Sequence, residues 1–318
     1  MRWRSVRCAQ THKRCRLLPE QRVRLAKLLI WLTPALWAVN SIVARKAPGI
    51  VDPHVLALGR WALAGAILGW IARHELWQHR KDIWAVWPQY LTLGACGMLI
   101  CGAWLYVAAH TTGVMNIALI YAAAPVLISV GAVLWLGERM TVLQGIGVGI
   151  AIVGVLHVVT QGEWSALARG EWVVGDLLMV AAATAWAAYA LLQKKWSTTL
   201  GSTARLACIC MGGIVCLMPF AIWESVQPQA PAWSLNATLL VIAAGIIPGI
   251  GAYGIYGWAQ KVLGASRVSV TLYLGPLWGA LSAWGVMGEP LGWHHLVGAL
   301  LILPGVALVT QFRQNGAG

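Results

Sequence analysis

The chain has 318 residues, of which 59% are apolar in type and only 10% charged, and its mean hydropathy is +0.70. A soluble domain carries about a quarter charged residues, so ten Asp and Glu are too few to solvate a globule of this size. A water-soluble enzyme is all but excluded, and the solvent for this chain is lipid.

The net charge of +13 points toward nucleic acid until it is located. Nine of the 23 Lys and Arg lie between Arg2 and Lys27, ahead of the first apolar run. A basic block there holds its end of the chain in the cytoplasm and attracts anionic headgroups. No nucleic-acid-binding fold accompanies it, so no nucleic-acid partner is expected. Residues 1–24 read as a basic cytoplasmic tail.

Crossing the hydrocarbon takes roughly 20 apolar residues per helix. Ten such runs follow, at about 25–44, 55–72, 87–108, 114–136, 142–160, 175–193, 205–223, 238–259, 266–287 and 293–311. Polar connectors such as 73–82, 137–141 and 194–203 separate them. With the tail inside and the sides alternating, the inner side collects ten basic residues beyond the tail, and the outer side three (Arg45, Lys46 and Arg169). That bias places both ends, including 313–318, in the cytoplasm of a multi-pass membrane protein.

The chain is also self-similar. Shifted by 151 residues, Gly113, Pro125, Gly137, Glu138, Gly147 and Gly154 fall on Gly264, Pro276, Gly288, Glu289, Gly298 and Gly305. At an offset of 149, Trp37, Ala38 and Lys46 meet Trp186, Ala187 and Lys195. Such self-similarity dictates architecture: two repeats of five spans, 25–160 and 175–312, joined by a connector at 161–174. An odd number makes the second copy enter the membrane from the opposite face, with a pseudo-two-fold axis in the membrane plane. The expected fold class is an all-α membrane protein, ten transmembrane helices in two five-helix repeats of inverted topology.

Trp37-Ala38-Val39-Asn40 and Trp186-Ala187-Ala188-Tyr189 carry a resemblance to a known family. So do Ala122-Ala123-Ala124-Pro125 with Gly137-Glu138, and Leu274-Gly275-Pro276 with Gly288-Glu289. The chain resembles, over about 25–312, the two EamA-type repeats of ten-helix members of the drug/metabolite transporter (DMT) superfamily. The resemblance implies a carrier of the bacterial inner membrane, often an exporter of amino acids or other metabolites, with a cavity between its halves. Four-helix multidrug exporters of that superfamily use a glutamate in their first helix to move cations. The first span here has none, which implies that permanently charged cationic drugs are poor substrates.

Polar and aromatic groups at membrane depth are functional candidates by default. Asn40, Asn116, Tyr121, Tyr189 and Gln260 are the first set for substrate binding, with Tyr253, Tyr256 and Tyr273. Trp37, Trp104 and Trp186 supply stacking walls, although each of the twenty Trp can equally anchor at an interface. Proline removes a backbone bond and kinks a helix. Pro125 and Pro276 recur at equivalent mid-span points and read as hinges, whereas Pro248, without a counterpart in the first repeat, points to asymmetric gating. Glu138 and Glu289 can satisfy free amides of the next helix or pair with basic loops. Arg60 either holds a substrate carboxylate or snorkels to the interface. His157 packs or carries a proton.

Several motifs carry no chemistry. Residues 249–254 match GxGxxG, but a dinucleotide site needs an aqueous βαβ unit. The glycines, with Gly65xxxGly69, Gly145xxxGly149 and Gly275xxxGly279, better suit close helix contact. Seven cysteines form no CxxC pair and no metal set, so neither cofactor nor metal is expected. A membrane-embedded enzyme would need clustered His, Asp or Glu, and His294-His295 have only Glu289 nearby in sequence. The sequence therefore reads as a secondary transporter moving a small metabolite, an amino acid or related compound, by alternating access. Its expected partners are that substrate and the bilayer, as monomer or homodimer. The alternatives are such a membrane-embedded enzyme or a non-transporting sensor or scaffold, and facilitator, exchanger and proton antiporter stay open.

Overall fold

The computed structural model describes residues 19–29, 32–137, 140–165, 173–196, 198–263, 274–288 and 290–311, and among them every regular element is helical. The first span is built from α1 (Pro19–Leu29) and α2 (Thr33–Lys46), and the second is α3 (Pro53–Ile71). The connector expected at 73–82 is largely helical: α4 (Arg73–Gln78) and α5 (Arg80–Ala85). The third span is composite, running from α6 (Trp87–Gly94) through a π-helical segment, Ala95–Ala103, into α7 (Trp104–Ala108). The fourth is divided into α8 (Val114–Ala122) and α9 (Ala124–Leu136). Uninterrupted helices follow as α10 (Val142–Val159), α11 (Val174–Lys195) and α12 (Ser202–Ser225). The eighth span repeats the composite form, with α13 (Leu235–Ala244), a second π-helical segment, Gly245–Ala252, and α14 (Tyr253–Leu263). α15 (Gly275–Met287) and α16 (Trp293–Gln311) complete the described chain. Eight described helices are long and apolar enough to cross a membrane, and the last two runs give shorter apolar stretches, Leu277–Met287 and Trp293–Leu308.

Local chemistry fixes the boundaries. α9 ends at Gly137 (φ 67°) and α15 at Gly288 (φ 66°), both left-handed, a conformation that glycine adopts without a Cβ penalty. α10 starts with a capping box: the Thr141 hydroxyl accepts from the Gln144 amide (3.3 Å), and Gln144 Oε1 accepts from the Thr141 amide (2.8 Å). Pro125 is not inside a continuous helix. The chain leaves α8 at Ala123 and restarts with Pro125 in the first turn of α9, where its missing N–H has no intrahelical partner to lose. Pro276 has the same place in α15. At Pro125 the expected mid-span kink is thus a break between two helices, whereas the stretch ahead of α15, 264–273, lies outside the described residues.

Packing couples the two halves of the chain. α10 lies against α16, and three contacts set their direction: Gly154 with Ile302, Val158 with Gly298, and Ala151 with Gly305. Residue numbers rise on one helix as they fall on the other, so the pair is antiparallel. A Cβ on Gly154 would lie 2.8 Å from Ile302, and one on Gly305 would lie 2.8 Å from the Ala151 amide. At the 151-residue offset Gly154 corresponds to Gly305 and Ala151 to Ile302, so each contact is the reciprocal of the other. α3 and α12 form a similar pair. Glu224, at the end of α12, accepts the amides of His54 (2.8 Å) and Val55 (3.2 Å) at the start of α3, and its other oxygen meets His54 Nδ1 at 2.6 Å. Glu75, just past α3, accepts the Gly201 amide at the start of α12. Glu75 and Glu224 are 149 residues apart and each caps the start of the other's helix, although the positions they reach differ: Gly201 is equivalent to Asp52, two residues before His54.

The glycines expected at helix contacts divide: a Cβ on Gly65 would lie 3.2 Å from Cys210 and one on Gly279 would land on Ala118, close contacts as expected. A Cβ on Gly69, Gly145, Gly149 or Gly275 would meet nothing within 4 Å, whereas one on Gly94 would land on the backbone of Gly213, and one on Gly212 on that of Tyr90. Spacing alone does not say which side of a helix faces a neighbour, and the backbone contact between α6 and α12 decides it.

Gly305→Leu is expected to lower the thermal stability of the purified protein in detergent, by about 1–3 kcal/mol as for other overpacked sites. Gly145→Leu is expected to leave it unchanged. Burial and the neighbouring Glu224 carboxylate push the Asp52 carboxyl up from its usual range. Its folded pKa therefore exceeds the unfolded one. The penalty for its charge is full at neutral pH and disappears as pH falls below the unfolded value. Asp52→Asn should raise the melting temperature at pH 7 and give no gain near pH 3.

Candidate functional site

The two composite spans, the broken fourth span and α2 converge on a cavity of about 160 Å³, the size class that admits a benzene-sized molecule. Its wall takes Trp37 and Asn40 from α2, Arg60 from α3, and Cys101 and Gly102 from the first π-helical segment. α8 adds Tyr121, α9 Pro125, α11 Trp186, and α14 Tyr253. Non-α backbone at membrane depth is tolerated where it lines a cavity or is buried in protein, and π-helical turns recur at functional sites.

Tyr253, the first residue after the second π-helical segment, organises the aromatic wall. Its ring stands nearly perpendicular to Trp37, Trp61 and Trp186, with centroids 6.0, 5.5 and 5.9 Å away and interplanar angles of 88°, 89° and 85°. This edge-to-face arrangement is the one aromatic quadrupoles favour. Tyr256 packs on Trp37 at 5.3 Å, and Tyr189 stacks on Trp186 at 5.2 Å and 24°. Tyr189 is buried behind that wall, against Gly97, where a Cβ would lie 2.9 Å from its ring. Tyr121 bonds to Cys101 through its hydroxyl.

The polar part of the wall is a closed triangle. Arg60 Nη1 donates to Asn40 Oδ1 and to the Tyr106 hydroxyl, both at 2.9 Å, and the Tyr106 hydroxyl donates to Asn40 Oδ1 at 2.8 Å. Arg60 does not snorkel: it is 2% exposed, with its guanidinium 4.3 Å over the Trp61 ring. Tyr106 was absent from the sequence-derived set, because a tyrosine late in a span reads as an interface residue until its partners are known.

Candidates from the sequence divide accordingly. Trp37, Asn40, Tyr121, Trp186, Tyr253 and Pro125 line the cavity, and Tyr189 and Tyr256 support it from behind. Trp104 is half-buried and outside the lining, its neighbours Gly102 and Leu105 facing the space instead. Asn116 belongs to a second network. Its Nδ2 donates to Asp176 Oδ2 (3.0 Å), its Oδ1 meets His295 Nε2 (3.0 Å), and Thr112 also donates to Asp176. The His294-His295 pair therefore has an acid within reach, Asp176, brought from α11 through Asn116. Asp176 lies in the first turn of α11, at a span end, and is fully buried. His157 packs near Trp164, with centroids 5.8 Å apart. Among the described residues no group of three His, Cys, Asp or Glu could hold a metal. Pro248 lies inside the second π-helical segment, and its counterpart in the first repeat is a π-helical segment without a proline, so the pair of distortions is shared even though the proline is not. Tyr273, Glu138 and Glu289 lie outside the described residues, as do the side chains of Gln260 and Pro276.

Comparison with known proteins agrees with this geometry. "Uncharacterized transporter YyaM" of Bacillus subtilis strain 168 is 25% identical over 83% of this chain and 86% of its own length. An "Uncharacterized transporter" of Archaeoglobus fulgidus is 24% identical over 89% of this chain and 96% of its own. A protein of Streptantibioticus cattleyicolor named "Probable terminal-alkyne amino-acid exporter" is 29% identical over 88% and 94%. A crystal structure with 18% identity superposes with a TM-score of 0.60 over 93% of this chain and 99% of its own, a likeness of fold. The pattern that defines the EamA-like transporter family matches twice, at 24–160 and at 173–311. With both matches covering most of its length, this multi-pass membrane chain belongs to the EamA-like transporter family.

Proposed function

We infer that the chain is a secondary transporter that moves a small metabolite, an amino acid or a related compound, outward across the bacterial inner membrane by alternating access. Its working units are two five-span repeats, 25–160 and 175–312, inverted relative to each other, with both chain ends in the cytoplasm. The observation that carries this reading is the reciprocity of the contacts between equivalent spans. α10 and α16 are an antiparallel pair whose contacts exchange at a fixed offset, and α3 and α12 are an antiparallel pair tied at both ends by equivalent glutamates, in keeping with a pseudo-two-fold axis in the membrane plane. Between the halves lies an aromatic and amide-bearing cavity of metabolite size, the usual form of a small-molecule site. Amino-acid substrates and outward direction are supported by the name of the S. cattleyicolor relative and by the resemblance of the motifs. The break before Pro125 supplies a point where a half-span can turn without loss of helix hydrogen bonds, and Pro276 stands in the same first-turn place in α15.

Purified protein in liposomes loaded with unlabelled amino acid should accumulate the labelled compound by counterflow, read by scintillation counting. No counterflow for any amino acid or related metabolite, at normal reconstitution, overturns the reading. Trp186→Ala should reduce the initial rate roughly tenfold, the upper end of what one aromatic contact contributes, while Trp104→Ala stays within about twofold of the wild type. Pro125→Ala should lower maximal turnover more than it raises the half-saturation concentration, because it acts on the conformational step rather than on the wall.

A further inference from the structure

Arg60 is the eighth residue of α3, roughly 10 Å along the axis from its start at about 1.5 Å per residue. A charge at this depth costs about 2.5–3.5 kcal/mol on insertion scales, and intramembrane charges ordinarily pair with one another or with backbone carbonyls. Among the described residues no carboxylate bonds to Arg60 and none lines the cavity. Its hydrogen bonds to described residues leave from Nη1 alone, toward two neutral partners. Arg60 Nε is buried without an acceptor, and so is Nε1 of the adjoining Trp61. What Asn40 and Tyr106 leave unpaired is the edge formed by Nε and Nη2, on a residue that lines the cavity. That edge is one face of the planar fork that takes a carboxylate through two parallel N–H···O bonds. The triangle with Asn40 and Tyr106 fixes the plane of the fork before any ligand arrives, and the Trp61 ring beneath it restricts tilting.

We propose that the Nε–Nη2 edge of Arg60 is the receptor for the carboxylate of the transported molecule. The substrate class is then a monocarboxylate attached to an apolar or aromatic group, with that group against Trp37, Trp186 and Tyr253. An amino group is accepted but not required, since no acidic side chain among the described residues lines the cavity to pair with it. The inference rests on the carrier reading of the cavity and narrows it to a ligand class.

Equilibrium binding of phenylacetate, 2-phenylethanol and 2-phenylethylamine to the purified full-length protein tests it directly. Phenylacetate should bind at least tenfold more tightly than the alcohol or the amine, and sodium chloride at matched ionic strength should not displace it selectively. Equal affinity for the three ligands, or displacement by chloride at the concentration of phenylacetate, overturns the proposal. Asn40→Asp places a carboxylate beside Nη1 with little change of shape and so occupies the guanidinium internally. It should retain the thermal stability of the wild type and bind phenylacetate at least tenfold less well, and undiminished binding by this variant also overturns the proposal. If Asn40→Asp does not fold, the ranking of the three ligands on the wild type decides alone. Amino-acid counterflow that persists while phenylacetate neither binds nor competes leaves the carrier reading intact and removes the receptor. Tight phenylacetate binding without flux of any compound does the reverse.

Discussion

Hydrocarbon supplies no hydrogen-bond partners, and every other feature of this chain follows from that deficit. A backbone amide or carbonyl left open in the bilayer costs several kcal/mol, so the spans must be helical wherever lipid touches them. They can depart from the α-helical pattern only where protein or an enclosed space receives the freed groups. The three departures among the described residues, the π-helical turns of the third and eighth spans and the break before Pro125, obey that restriction. Each of them contributes directly to the cavity wall or stands immediately before a residue that does. The same deficit explains the polar triangle. Asn40 and Tyr106 are buried because they satisfy Arg60 and each other.

Apolar burial cannot hold helices together in lipid, whose tails are as oily as leucine. Close backbone approach takes over, and it is concentrated at a few glycines. Gly94 with Gly213, and Gly154 and Gly305 with their reciprocal partners, let helices meet at distances that any side chain would prevent. Carboxylates then finish the helix ends: Glu75 and Glu224 each take up amides that open the partner helix and have no acceptor within it.

Much of this was legible in the residues themselves. Span positions followed from apolar run length, and the runs at 87–108 and 293–311 coincide with the helical limits. The glycines at 137 and 288 marked helix ends because a left-handed C-cap demands one. The π-helical turns were not legible, since they arise from a hydrogen-bond register that no residue type encodes: Pro248 marked one of them, and nothing marked the other. Arg60 showed the limit of one-dimensional reading. Burial near a span end and exposure there have the same sequence, and only the positions of Tyr106 and Trp61 distinguish them. Asp176 illustrates the same point, because an acid in the first turn of a span can face water or a neighbouring helix. The Glu75–Gly201 and Glu224–His54 ties escaped notice because their partners lie more than 120 residues apart in sequence.

Those two ties sit at opposite ends of one antiparallel pair, α3 and α12. A pair fastened at both extremities can tilt as a strut but cannot splay at either mouth. For the proposed carrier this assigns opening and shutting to the spans around that strut, with Arg60 held on the strut itself.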